Sequence, residues 1–298
     1  MLPDPSYAAY RAGSAIARLL PKPIISPFTD VAGFVAARAM DGRRDMVVRH
    51  QLRVRPDLTP KELDRAVDEV FRSYTQYWIE SFRLPGTPAE ALDRGLVTEG
   101  FEHLREAYDA GEGVVVAMPH LGAWEWAAFW LTACEHIDVT TVVEPVNPPE
   151  LAEWFIDLRE RLGMEIVPLG PDSGSRVAKA LANKRLLSLV CDRDIAGGGI
   201  EVEFFGERTT LPGGPATLAL RTGAPLMAAT CFFEGDGHRG IVRPPIDTTR
   251  QGKLREDVAR ITQLLAYELE ELIRLAPEQW HLLQPNWPSD HAVAEASR

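Results

Sequence analysis

Apolar residues recur every three or four positions in residues 60–83, PKELDRAVDEVFRSYTQYWIESFR. This spacing places them on one face of a helix, so the pattern predicts an amphipathic helix over the whole stretch. The apolar positions are Leu63, Val67, Val70, Phe71, Tyr74 and Trp78. Residues 98–110, which end before Gly111, are predicted to form the next helix.

Beyond Gly111 the pattern changes to short apolar runs separated by helical stretches. Strands are predicted at 114–118, 139–144, 165–170 and 185–192, and helices between them at 124–136, 149–163 and 175–183. Later runs at 224–233 and 237–246 predict two more strands that a hairpin turn would join, and a last helix is predicted at 253–275. This alternation predicts an α/β fold with a mainly parallel central sheet flanked by helices.

No internal repeat or low-complexity linker divides the chain, so one domain is predicted over residues 1–298. Residues 1–55 would form an N-terminal helical segment, and residues 56–298 the α/β core. The hydrophobic content of 45% and the charged content of 25% are those of a globular protein with a sizeable core. We find no signal peptide and no apolar run of the roughly 20 residues that a membrane-spanning helix needs. An integral membrane protein is therefore not expected.

Cysteine spacing bears on the chemistry of the protein. The three cysteines are odd in number and unevenly spaced, and none belongs to a CxxC pair; they are Cys134, Cys191 and Cys231. This pattern argues against a disulfide framework and against a zinc site, and it favours a reducing compartment. We expect no metal ion and no other cofactor.

The charge reverses along the chain. Residues 1–55 carry nine basic and four acidic side chains, a net of +5, whereas the whole chain has a net charge of −11. Within the basic end, residues 14–40 mix many apolar side chains with Arg18, Lys22 and Arg38. This mixture predicts a membrane-docking segment that lies on an anionic bilayer. The alternative is a pair of helices packed on the core, with arginines that cover its edge.

A histidine stands just past the first strand of the α/β pattern, in VVVAMPHLGAWEW (114–126). Ligands of parallel sheets bind at the carboxyl ends of the strands, which is where His120 would lie. Glu125 follows five positions later, about 140° away if both stood on one helix. If His120 instead occupies the turn before the helix, Glu125 could accept the Nδ1 proton and leave Nε2 free as a base. The alternative is a capping histidine and an unrelated surface glutamate.

Three further stretches accompany this histidine turn: residues 155–170 (FIDLRERLGMEIVPLG), residues 190–226, which begin VCDRD, and residues 279–287 (QWHLLQPNW). Together the four motifs closely resemble the bacterial lysophospholipid acyltransferase superfamily. The resemblance is to its lipid A acyltransferase branch and, more narrowly, to the phosphatidylinositol mannoside acyltransferases of actinobacteria. It covers roughly residues 60–287 and includes the family's histidine followed five positions later by an acid, here Glu rather than the more frequent Asp.

The resemblance implies a single acyltransferase domain that acts at a membrane. It would move a long-chain fatty acyl group from acyl-CoA, with palmitoyl-CoA as the expected donor, to a mannose hydroxyl of a phosphatidylinositol mannoside. The expected partners are acyl-CoA, a glycolipid acceptor and an anionic membrane surface, with no nucleic acid. We expect a monomer that is peripheral to the cytoplasmic face of the cell membrane.

The resemblance also implies site residues. His120 would act as general base, Glu125 would orient it, and Asp192 would be a second orienting carboxylate; alternatively the DRD triplet only caps the turn into the glycine run. Arg159 would bind a substrate phosphate, unless it is a solvated helix arginine. The substrate-binding residues implied with Arg159 are Trp124, Phe205 and Gly206.

Other sequence features limit the alternatives. The chain has no GxSxG motif, and its glycine runs at 197–199 and 213–214 lack the GxGxxG and GxxxxGK patterns, which argues against a serine hydrolase and a nucleotide-binding loop. Instead, LPGGPATLAL predicts a turn and a helix N-terminus at Pro215 that could hold an anion. Trp280 and His281 are expected in the core. An acyltransferase for another, lipid A-like glycolipid, an acyl-CoA thioesterase and a non-catalytic lipid-binding protein stay open.

Overall fold

A computed structural model of the chain describes residues 5–19, 21–195 and 197–291. Within these residues a seven-stranded sheet has the order β1-β9-β8-β2-β5-β3-β4, and β6 and β7 form a separate hairpin. Strands β2, β3, β4, β5 and β8 are parallel, whereas β9 runs antiparallel to β8. The predicted mainly parallel sheet is therefore confirmed. The strands are β1 Leu96–Glu99, β2 Val114–Met118, β3 Val139–Val143, β4 Glu165–Pro168, β5 Leu186–Val190, β6 Ile200–Phe204, β7 Glu207–Leu211, β8 Leu226–Glu234 and β9 Gly237–Val242.

Helices cover both faces of the sheet. Side chains alternate along a strand, so Val115 of β2 packs into the core on one face and Val116 into the core on the other. The helices are α1 Pro5–Leu19, α2 Lys22–Ala39, α3 Asp41–Val54, α4 Pro60–Arg83, α5 Ala89–Arg94, α6 Phe101–Asp109, α7 Trp124–Ala133, α8 Pro149–Glu160, α9 Ser173–Ala182, α10 Gly214–Thr222 and α11 Leu254–Leu275, with short 3-10 turns at Leu84–Gly86 and Pro277–Gln279.

Helix α4 has the bounds that its apolar spacing predicts. Thr59 caps its first turn, because the Glu62 carboxylate accepts hydrogen bonds from the Thr59 backbone N–H (2.9 Å) and hydroxyl (2.6 Å). Pro60 then occupies the first helical position, where its missing N–H costs no hydrogen bond.

Several element boundaries differ from the predictions by a few residues, and one hairpin was missed. The helix predicted from residue 98 begins at Phe101, since Gly100 has φ +72° and the residues before it pair with β9. The helix predicted to residue 136 ends at Ala133, where the chain turns before β3. The β6–β7 hairpin was not predicted, although buried and exposed residues alternate along both of its strands.

The basic N-terminal segment is largely tied to the body of the protein. Helix α2 lies so close to α4 that a Cβ at Gly33 would be 2.6 Å from the Arg72 Cα. Most arginines of α3, and the one after it, pair with acids elsewhere: Arg44 with Asp64 and Asp68, Arg49 and Arg53 with Asp290, and Arg55 with Glu278. Within the predicted membrane-docking segment, Arg38 pairs with Asp68. The docking segment is not confirmed, and much of the positive charge of residues 1–55 is paired within the protein.

Among the described residues, no helix is both long enough and apolar enough to cross a membrane.

Candidate active site

The turn that carries His120 is held rigidly at the carboxyl edge of the sheet. It joins the end of β2 to the start of α7, as predicted. Its closest approach to the neighbouring strand β8 is at Gly122, which has φ +60°, and a Cβ there would lie 2.4 Å from the Cys231 carbonyl oxygen. Only glycine fits this backbone conformation and this space. The Ala123 N–H donates to the same carbonyl at 2.7 Å, so the position of the histidine is set by main-chain contacts.

Asp192 is the carboxylate that pairs with the imidazole. It follows β5, the parallel neighbour of β2, so both residues reach the same edge of the sheet. Asp192 Oδ1 lies 2.5 Å from His120 Nδ1, and Oδ2 accepts hydrogen bonds from the His120 backbone N–H (3.0 Å) and from Trp280 Nε1 (2.7 Å). These bonds assign the proton to Nδ1. In the described part of the chain nothing bonds to Nε2, and 35% of the His120 side chain is exposed.

The carboxylate of Asp192 stays ionised although it is fully buried. Burial acts to raise its pKa, but the charge of His120 and the hydrogen bonds from His120 and Trp280 outweigh this effect and lower the pKa below its usual value. A buried anion at Nδ1 stabilises the imidazolium that forms when Nε2 takes a proton. The pair therefore has the parts of a general base.

Glu125 does not make the hydrogen bond to His120 that the five-residue spacing suggested. Its side chain lies in the first turn of α7 and is buried toward α4 and α8, where Oε1 accepts hydrogen bonds from the Tyr77 hydroxyl (2.7 Å) and from Arg159 Nη2 (3.0 Å). The partner of Nδ1 is instead Asp192. The catalytic roles of Glu125 and Asp192 stay predictions.

Arg159 lies inside the protein rather than on a solvated helix face. Its guanidinium carbon is 5.1 Å from the centre of the Trp124 ring and 5.6 Å from that of Phe155, and 14% of its side chain is exposed. Burial raises the pKa of Glu125, against the opposing charge of Arg159 and the hydrogen bond from Tyr77. Burial also raises the pKa of Tyr77 well above 10, and the Glu125 charge adds to that shift, so the phenol remains a donor.

The C-terminal segment completes the site. Trp280 and His281 are buried, as expected for core residues, but both also make polar contacts. Trp280 holds Asp192, and the His281 backbone N–H donates to the His120 carbonyl at 2.7 Å. His281 Nε2 lies 2.8 Å from the Ser73 hydroxyl, and burial, with a smaller contribution from His120, lowers the pKa of His281 to about 3. The sequence indicated this segment as a motif, but it indicated neither the contacts of the segment with the histidine turn nor the contact of Tyr77 with Glu125.

Phe205 and Gly206 form the tight turn of the β6–β7 hairpin, with φ +51° and +73°. The Phe205 ring is buried 5.7 Å from that of Trp280, so it reaches Asp192 only through the indole. Their assignment to substrate binding stays a prediction, as do those of Trp124 and Arg159.

An apolar cavity of about 460 Å³, a volume within the ~300–1,000 Å³ of typical ligand sites, opens at the same edge of the sheet. It lies between α9, α10 and the carboxyl ends of β3 and β5, and it includes Cys191 and Arg193, the neighbours of Asp192. Pro215, where the helix N-terminus was predicted, lies in its wall. The cavity thus borders the residues on either side of Asp192, although neither Asp192 nor His120 is among its lining residues.

Metal or thiol chemistry has few candidate groups here. Among the described residues, no group of three or more His, Cys, Asp or Glu side chains could hold a metal ion. Burial raises the pKa of the Cys191 and Cys231 thiols far above their usual value, so neither is a ready nucleophile.

Comparisons with known proteins agree on one family. A family model for bacterial lipid A biosynthesis acyltransferases matches residues 3–289. The phosphatidylinositol mannoside acyltransferase of Mycolicibacterium smegmatis is 38% identical over 94% of this chain and 91% of its own length. The Mycobacterium tuberculosis protein of the same name is 40% identical over 95% of this chain and 88% of its own. A lipid A biosynthesis palmitoleoyltransferase of Escherichia coli is 23% identical over 88% of this chain and 84% of its own.

Proposed function

Because the chain belongs to the bacterial lipid A biosynthesis acyltransferase family, we propose that it transfers a long-chain fatty acyl group from acyl-CoA to a mannose hydroxyl of a phosphatidylinositol mannoside. That it is an acyltransferase follows from the family and from relatives of about 40% identity. The mannoside is proposed as acceptor because those relatives carry its name and match nearly the whole chain. The observation that carries the mechanism is the His120 and Asp192 pair at the carboxyl edge of the sheet.

The proposed reaction is a direct transfer. His120 Nε2 removes the proton of the acceptor hydroxyl as its oxygen attacks the thioester carbonyl, and Asp192 stabilises the resulting imidazolium. An ester C–O bond forms, the C–S bond breaks, and the imidazolium returns the proton to the departing CoA sulfur. No acyl-enzyme is required, which agrees with the absence of a ready thiol nucleophile at the described cysteines.

The apolar cavity is the proposed place for the acyl chain. Its wall includes aliphatic residues of α9, α10 and β5, among them Val177, Leu189 and Leu218. Burial of methylene groups there would contribute about 0.8 kcal/mol each to donor binding. The thioester carbonyl would then lie at the end of the cavity that adjoins Asp192.

Contact with a membrane is proposed through α1 and α2. Four exposed apolar residues of α2 recur every three or four positions and so share one face: Ile24, Phe28, Val31 and Val35. Ile16 and Leu19 are exposed at the end of α1. An apolar face of this kind suits the interface of a bilayer. We propose a monomer bound peripherally at the cytoplasmic face, where acyl-CoA and a lipid-anchored acceptor meet.

The test is a transfer assay. Purified protein is incubated with labelled palmitoyl-CoA and, separately, with phosphatidylinositol mannosides, lipid A precursors and no acceptor. The proposal expects label in the mannosides and only slow thioester hydrolysis without acceptor. Label in lipid A precursors alone would favour an acyltransferase for a lipid A-like glycolipid. Thioester hydrolysis at the same rate with and without each lipid, and no labelled lipid, would favour a thioesterase.

A further inference from the structure

A stretch near the C-terminus lies across the histidine turn, and we call residues 279–290 the C-terminal strap. Its main chain pairs with that of the turn, because Leu121 and Trp280 form an antiparallel bridge. Beside this bridge the His281 backbone N–H donates to the His120 carbonyl at 2.7 Å. The indole of Trp280 is therefore carried by a segment that is hydrogen-bonded to the turn itself.

The Trp280 indole completes the hydrogen bonding of the Asp192 carboxylate. Its Nε1 donates to Oδ2 at 2.7 Å, whereas the other two bonds to this carboxylate both join it to His120. In the described part of the chain, Trp280 is thus the one group that fixes the plane of the carboxylate independently of His120. The strap also holds the main chain of Asp192, since Asn286 Nδ2 donates to its backbone carbonyl at 3.1 Å.

The far end of the strap is anchored on helix α3. The buried Asp290 carboxylate lies 2.7 Å from Arg49 Nε, 2.9 Å from Arg53 Nη2 and 3.2 Å from His50 Nε2. Burial acts to raise the pKa of Asp290, but the hydrogen bonds and charges of these groups hold it far below its usual value. The His50 ring also packs 5.5 Å from that of Trp280. The anchor therefore limits the movement of the indole as well as that of the strap.

A donor at Asp192 affects the protonation of the imidazole. The indole N–H stabilises the carboxylate less when His120 is an imidazolium, because the positive charge already neutralises part of the anion. The donor therefore favours the unprotonated imidazole, which is the form that can act as a base. Titratable groups next to the imidazole include Asp192 and His281, and burial lowers the pKa of His281 to about 3, so that ring is neutral. Behind His281 lies the Tyr77 phenol, with ring centres 5.6 Å apart.

From these contacts we infer that Trp280 is a positioning residue for the general base. Its indole holds the Asp192 carboxylate toward Nδ1 of His120, and the strap holds the indole. The inference rests on the proposed function, in which His120 removes the proton of an alcohol. It gives the buried C-terminal strap a part in the chemical step, which Trp280 performs through Asp192 rather than on the substrate.

The strap supplies a matched control for the test. Trp287 is fully buried like Trp280, and its Nε1 also makes one hydrogen bond, but to the Phe204 carbonyl at 3.2 Å. Trp280→Phe and Trp287→Phe therefore remove the same atoms and one hydrogen bond each. Trp280→Phe should lower kcat about tenfold with little change in KM, because it loses a hydrogen bond to a charged group that acts on chemistry and not on binding. It should also move the acidic limb of the kcat/KM profile to higher pH. Trp287→Phe should lose stability in urea to a similar extent but keep the acidic limb of the wild type.

The protonation of His120 can also be followed without any substrate. In protein labelled with nitrogen-15 in its imidazoles, the His120 signals are those missing from His120→Ala. Their titration midpoint should lie at higher pH in Trp280→Phe than in the wild type or in Trp287→Phe. If circular dichroism shows that Trp280→Phe is unfolded, benzothienylalanine at position 280 decides the point, because it keeps the shape of the indole and replaces only its N–H by sulfur.

Equal titration midpoints and equal acidic limbs in these proteins would overturn the inference and show that Trp280 only packs in the core. An acidic limb that moves as far in Trp287→Phe would overturn it as well, since the effect would then belong to the packing of the strap. If the midpoints differ as expected but no glycolipid is acylated, the proposed function fails and the positioning role of Trp280 stands.

Discussion

At the residue scale, the chemistry of the site depends on which groups face the two nitrogens of His120. Nδ1 meets a buried carboxylate, and Nε2 faces the open side of the turn. This asymmetry distinguishes a base from a structural histidine, in which both ring nitrogens are usually hydrogen-bonded within the protein.

Replacing the proposed base should remove activity without unfolding the protein. His120→Ala should lower kcat/KM for acyl transfer by about 10²–10⁴-fold, the usual contribution of a general base. Because the buried Asp192 loses the imidazole but keeps its hydrogen bonds from the backbone N–H of residue 120 and from Trp280, the thermal unfolding midpoint should fall, while far-UV circular dichroism should still show a folded protein. His103→Ala on α6, distant from the site, is the matched control. An active His120→Ala enzyme would show that the turn has only a structural role.

The Glu125 and Arg159 pair should act mainly on stability. Arg159→Met leaves the buried Glu125 carboxylate without its cation, and loss of one partner of a buried pair costs about 3–5 kcal/mol. Adding Glu125→Gln to Arg159→Met should recover part of that free energy of unfolding, measured in urea. Arg159→Met with wild-type stability and a raised KM would instead support the predicted contact with a substrate phosphate.

His281 should make the protein sensitive to mild acid. Its pKa is lowered to about 3 in the folded protein, whereas an unfolded histidine has a pKa of about 6.5. Below pH 6.5 the unfolded chain therefore binds a proton that the folded one does not, and stability falls by up to about 1.4 kcal/mol per pH unit. His281→Gln should flatten this slope between about pH 6 and pH 4.5, above the range where most carboxylates titrate. An unchanged slope in urea titrations would show that His281 accepts a proton in the fold.

At the scale of elements, α2 serves two surfaces. Its inner side packs closely on α4 at Gly33, while its outer side carries the apolar residues assigned to the membrane. Helix α3 behaves differently, because its arginines pair with acids of the core and the C-terminal segment. Membrane attraction should therefore depend more on apolar contact than on charge.

This division of roles can be tested on vesicles that contain anionic lipid. Val31→Asp should weaken binding in flotation, since it places a charge on the face proposed to enter the interface. Val97→Asp is a closely matched control, because Val97 on β1 is 67% exposed and Val31 is 66% exposed. High salt should reduce binding less than Val31→Asp does. Equal flotation of the two variants would show that the protein contacts the membrane through another surface.

At the scale of the whole molecule, the histidine turn stands at the carboxyl edge of the sheet between two cavities. The apolar one is lined by Cys191 and Arg193, the neighbours of Asp192, and a second one, of about 950 Å³ and lined by polar and apolar residues alike, includes Ser73 and Gln279. In the strand order the first lies on the β5 side of β2 and the second on the β8 side.

The sequence predicted the parts of this molecule that depend on neighbouring residues. Apolar spacing located α4 and the strands from Val114 to Val190, since a helix or strand repeats its burial pattern every few positions. The same spacing placed His120 at the carboxyl end of β2, and the DRD triplet at the end of β5. It missed β1, whose four residues gain their order from pairing with β9 about 140 positions away.

The partner of His120 was decided by the tertiary structure. Glu125 was the nearer acid in the chain, but the start of α7 turns its side chain inward to Tyr77 and Arg159. Asp192 is 72 positions away in sequence and comes within 2.5 Å because β2 and β5 are adjacent in the sheet. Local periodicity determines which residues form each element and which face they bury. Side-chain partners across strands, and the cavities between helices, depend on strand order and packing, which no short stretch of sequence specifies.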